Sequence, residues 1–171
     1  KFSLIDDLWS SVTSNNNNIN TFYELCMKLN LDNSIDLQSL IVSTFGVGKR
    51  YANEKNIEKM IRIIDSYLEN LLKNIGSEYD EKEDVKTTEL RALIFRGLGI
   101  TCENTKYIDT AKNLYSKYLS DKNSVEPNLA ASAIAIIAQN GDKELHTEFF
   151  EKYTSTQIPL VKIRFLFSLS E

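Results

Sequence analysis

The chain has 171 residues, enough for one domain that buries about two-thirds of its unfolded surface. Lysines and acids are interspersed, the net charge is −4, and the 42% hydrophobic content is that of an ordinary globular domain. This balance argues against nucleic acid or an anionic membrane as partner, since both need a basic face, and no apolar run approaches the ~20 residues of a membrane span.

Two prolines and six glycines are too few for a domain of many strands and turns, and apolar residues recur at spacings of three and four. The first helix carries Leu4, Ile5, Leu8, Trp9 and Val12 on one face and runs into Ser14 and the polar loop Asn15-Asn16-Asn17-Asn18. A second carries Phe22, Leu25, Cys26 and Leu29. Asp36 or Ser34 can cap a third, which bears Leu37, Leu40, Ile41, Phe45 and Val47. The fourth starts at Asn56 and shows Ile57, Met60, Ile61, Ile64, Leu68, Leu71, Leu72 and Ile75, with Gly76 placed to end it in a left-handed conformation. The acidic stretch 77–84 reads as an exposed loop.

A fifth helix is expected over about Thr87–Ile100 and a sixth over about Asn104–Leu119. Pro127 fits the first turn of the seventh. That helix is small and apolar all round from Leu129 to Ile137, so it should be the most buried. Asn140-Gly141 ends it, and Asp142 starts an eighth helix with Leu145, Phe149 and Phe150. Ile158-Pro159 opens a ninth. The expected core includes Leu93, Ile134 and Ile137. The closing run from Leu160 to Leu169 is strongly apolar and stops at Glu171 without a capping residue. The chain is therefore expected to be a piece cut at both ends from a longer protein, forming a single helical-repeat domain over 1–171.

Helices joined by short loops favour antiparallel neighbours, and about nine in series are too many for a simple bundle. The expected fold is all-α, an irregular α-solenoid of antiparallel helix pairs with HEAT or armadillo character. No strict 34-residue period of the tetratricopeptide kind is present.

Residues able to carry chemistry are scarce. A zinc protease site needs two histidines one helical turn apart with a glutamate between them, and this chain has only His146. The same shortage removes most Ser/His and Cys/His nucleophile arrangements. No metal and no cofactor are expected in the chain itself. Cys26 and Cys102 lie far apart among apolar helical neighbours and read as buried free thiols. None of the asparagines opens an Asn-x-Ser/Thr sequon, which points to a cytoplasmic setting.

Gly46-Val47-Gly48-Lys49 contains part of a phosphate-binding loop. However, Ser43 stands where the first glycine is required, and Arg50 where a Ser or Thr should follow the lysine. Close helix–helix approach at the two glycines explains it better. The acids Asp6-Asp7 and Glu81, Glu83 and Asp84 fit helix N-termini or solvated surface. Arg91 and Arg96 flank the apolar run Ala92-Leu93-Ile94-Phe95. They either pair with acids on neighbouring helices, the commoner arrangement, or one of them faces a groove and meets a peptide carboxylate.

Several stretches, in order, resemble the C-terminal helical domain of M1-family zinc aminopeptidases, the group that includes the tricorn-interacting factors and the endoplasmic-reticulum aminopeptidases. Leu4-Ile5-Asp6-Asp7-Leu8-Trp9 is similar to that domain's opening helix, and Phe22-Tyr23-Glu24-Leu25 follows at the usual distance. Thr88-Glu89-Leu90-Arg91-Ala92-Leu93-Ile94 resembles its "LRaLl" helix. Asn128-Leu129-Ala130-Ala131-Ser132-Ala133, with Ala where the family often has Arg, resembles a later element, as do the turn Asn140-Gly141-Asp142 and the run Lys162 to Leu169.

The resemblance implies a non-catalytic domain of an enzyme that removes N-terminal residues from peptides. The catalytic zinc would belong to an upstream domain of the same chain, whose Gly-x-Met-Glu-Asn and His-Glu-x-x-His motifs do not occur here. It further implies that the helical domain closes over that site and shapes a chamber for peptide substrates, with Arg91 or Arg96 as peptide-facing residues. The alternative is a stand-alone HEAT-like scaffold that binds another protein.

Overall fold

A computed structural model describes the chain except Leu31, Asn33, Ala52, Asn53, Ser77, Glu81, Ser170 and Glu171, and the side chains of Arg50, Tyr51 and Glu54. The described residues form nine α-helices and no strand: α1 (Phe2–Thr13), α2 (Ile19–Lys28), α3 (Ile35–Tyr51), α4 (Glu54–Ile75), α5 (Val85–Arg96), α6 (Thr105–Ser120), α7 (Pro127–Gln139), α8 (Lys143–Ser155) and α9 (Pro159–Ser168). A π-helical turn, Gly97–Thr101, continues α5. The chain divides into two compact units, Lys1–Cys102 and Glu103–Glu171.

Local chemistry sets the helix ends. After α1, Asn15 takes a left-handed conformation (φ 59°), and the N–H groups of Asn15 and Asn16 return to the carbonyls of Val12 and Ser11. This is a Schellman closure with asparagine in the place glycine usually takes. Gly76 (φ +85°) ends α4 as its sequence position predicts. The side chains of Asn18, Asp84, Asn104 and Asp142 accept from the first-turn N–H groups of α2, α5, α6 and α8.

The boundaries differ from the sequence reading in three places. Helix α4 begins at Glu54, before Asn56. Helix α5 begins at Val85, because Asp84 rather than Thr87 marks its start. Its regular hydrogen bonding stops at Arg96, where the expected helix to Ile100 widens into the π-turn, with the Cys102 N–H reaching back to the Gly97 carbonyl at 3.0 Å. Gly97 suits that tight place, since a Cβ there would lie 2.9 Å from Leu68 Cδ1.

In the first unit α3 packs on α1, α4, α5 and the π-turn. Its core centres on Ile5, Phe22, Ile41, Phe45, Ile64, Tyr67, Leu68, Leu90 and Ile94. A run of rings crosses it from α1 to α4, with centroids 5.0 Å apart for Trp9–Phe22, 6.0 Å for Phe22–Tyr23 and for Tyr23–Phe45, and 5.1 Å for Phe45–Tyr67. These are favourable separations for tilted and edge-on aromatic pairs.

In the second unit α7 packs on α6 and α9, and α8 packs on α9. The all-apolar α7 is deeply buried as expected, with Ala133, Ile134 and Ile136 fully covered. Pro127 occupies its first turn, and Glu126 supplies a cap that the sequence did not suggest, its two carboxylate oxygens accepting from Asn128 N and Leu129 N. Tyr115, Phe149 and Phe165 stack edge-on at 5.7 and 5.2 Å.

Some side chains assigned inward by periodicity lie outward. Leu4, Val47 and Phe150 are exposed, and Leu93 is only half-buried. Ile137 is buried as predicted.

Candidate functional site

Helix α5 holds both arginines singled out from sequence, and the structure gives them different roles. Arg91 is 4% exposed. Its guanidinium forms a fork onto Glu83, donating from Nη1 to Oε2 and from Nη2 to Oε1 at 2.5 Å. The same group donates from Nε to the Gly76 carbonyl at 2.8 Å and from Nη2 to the Ile75 carbonyl at 3.2 Å.

The last carbonyls of α4 lack helical partners, so Arg91 satisfies two groups that the helix end leaves open. It also neutralises a carboxylate of the connecting loop. The paired guanidinium, above all through its hydrogen bonds, holds the Glu83 carboxyl below its ordinary value of 4.5. Arg91 therefore pairs with an acid of the loop between α4 and α5 and also holds the end of α4. Arg96, five residues on, is the last residue of α5 and is exposed.

The acidic stretch is not uniformly solvated. Glu78, Tyr79 and Asp80 are exposed, but the Glu83 side chain is largely covered by its contact with Arg91 and also accepts from Thr88 Oγ1. Asp84 caps α5. Ser77 and Glu81 lie outside the described residues.

A second buried polar cluster went unread in the sequence. Gln38, 1% exposed, donates to the carbonyls of Leu29 (2.8 Å) and Asp32 (2.9 Å) and accepts from the Tyr67 hydroxyl. Asn30 donates to the Tyr67 carbonyl at 3.0 Å. Together they tie the α2–α3 connection to α4, with every group of Gln38 satisfied as burial demands. The available signal was a glutamine beside Leu37, within the apolar stripe of α3. A crevice of about 230 Å³ opens beside this cluster, lined by Asn30, Gln38, Asn74 and Thr87 among others.

In the second unit an open groove of about 540 Å³ lies between α6 and the start of α8. Ile108, Ile137 and Leu145 contribute apolar surface, and Asp142, Glu144 and Glu148 contribute carboxylates. Glu148 accepts from the buried Tyr115 hydroxyl at 2.6 Å and pairs with Lys152 at 3.5 Å. Burial, and then the adjacent Glu148 carboxylate, raise the Tyr115 phenol above its ordinary range.

The remaining sequence candidates have structural places. His146 is exposed on α8. Among the described residues no group of three His, Cys, Asp or Glu side chains could hold a metal ion. Cys26 and Cys102 are buried free thiols, and burial pushes both up to about 12. They are therefore protonated and poor nucleophiles at neutral pH.

At Gly48 a Cβ would lie 2.7 Å from the Tyr23 hydroxyl oxygen, so this glycine serves the close approach of α2 and α3. Gly46 meets only Thr101 Oγ1, at an ordinary 3.6 Å. No helix among the described residues is long and apolar enough to cross a membrane.

The described residues thus form nine helices, with Arg91 joining the end of α4 to the loop that leads into α5. The family model described as the ERAP1-like C-terminal domain matches residues 1–171. The chain belongs to this family. It is a C-terminal domain of an M1-family aminopeptidase-like protein, of the type that accompanies an upstream catalytic domain in the same chain. The match takes in both compact units. No curated protein matches the chain.

Proposed function

We propose that this ERAP1-like domain closes over the active site of an upstream zinc aminopeptidase domain and forms part of the wall of its peptide chamber. The observation that carries this reading is the family match along the whole chain. The described residues offer no metal cluster, which fits a division of labour in which zinc and its ligands sit upstream. The substrates are peptides trimmed from their N-termini, and the setting is the cytoplasm, where two buried free thiols are at home.

A wall that accepts varied sequences does best to contact the peptide backbone or its terminal carboxylate. Of the two α5 arginines, Arg96 is the one with an exposed side chain, and we assign it that contact. Arg91, covered and forked onto Glu83, fixes the α4–α5 connection that precedes it.

The test is Arg96→Ala in the full-length enzyme, with kcat/KM compared for long peptides and for a dipeptide-sized substrate that cannot reach the wall. Losing one charge-assisted contact should lower kcat/KM for long peptides about tenfold and leave the short substrate unchanged. Equal losses on both would make Arg96 structural and defeat the assignment.

A further inference from the structure

We draw no further inference here: the strongest candidate, the open groove between α6 and the start of α8 where Asp142, Glu144 and Glu148 flank Ile108, Ile137 and Leu145, rests on an acidic cluster alone, and nothing in the structure shows what covers it.

Discussion

Replacing Arg91 with alanine removes two hydrogen bonds to the Glu83 carboxylate and two to the terminal carbonyls of α4. The arginine side chain is 4% exposed and the glutamate 15%, so water cannot fully replace the lost partner. Breaking such a covered pair from one side costs about 3–5 kcal/mol, because a desolvated charge is left behind. The partial exposure of Glu83 places Arg91→Ala at the lower end, about 3 kcal/mol, or roughly a hundredfold in the folded-to-unfolded ratio.

Glu83→Gln keeps an acceptor for one guanidinium N–H and should cost less, about 2 kcal/mol. The pH dependence gives a sharper check. The folded-state carboxyl titrates below its ordinary 4.5, so its contribution is fully present above that value. It disappears as pH falls through the lowered folded value. Glutamine does not titrate, so the stability gap between parent and Glu83→Gln should be constant near neutrality and shrink as pH falls below the ordinary carboxyl value of 4.5.

Urea unfolding followed by Trp9 fluorescence reads the relevant unit, since the only tryptophan packs on Phe22 there at 5.0 Å. An Arg91→Ala protein within about 0.5 kcal/mol of the parent would refute the reasoning, because that is the ordinary range for surface substitutions. So would a gap that ignores pH.

The packing and the helix caps set further outcomes. Gly48→Ala should destabilise by about 1–3 kcal/mol through the clash with the Tyr23 hydroxyl. Tyr23→Phe deletes a buried hydroxyl that has no hydrogen-bond partner among the described residues and should be neutral or stabilising by about 1 kcal/mol. The double variant should recover much of the glycine loss, and strict additivity in a denaturation cycle would count against the contact. Ellman's reagent at pH 8 should leave Cys26 and Cys102 unmodified in the folded chain and label both in denaturant; rapid labelling of native protein would contradict their burial and raised thiol values. Glu126→Ala should cost about 1 kcal/mol in thermal or urea unfolding through loss of the α7 cap, and an unchanged midpoint would show that water replaces it.

The all-α class and the order of nine helices were legible in the sequence because helix formation is written in local terms: apolar spacing, caps and breakers. Gly76, Pro127 and Asp142 act where their chemistry places them, and the all-apolar α7 is buried because no face of it suits water. Residues far apart in the chain decided the rest. Arg91 looks on its helix like any arginine in an apolar run, and only the approach of the α4 end and the loop carrying Glu83 determines its burial and its partners. Gln38 depends in the same way on Tyr67, 29 residues away, and the tight surroundings of Gly97 come from the Leu68 side chain, 29 residues before it. Periodicity cannot tell a covered apolar residue from an exposed one when neighbouring helices leave part of a face open, as Phe150 and Leu93 show. The local pattern thus determines which segments become helices, whereas the partner of each buried charge or amide is fixed only when tertiary packing removes water and forces every polar group to find one.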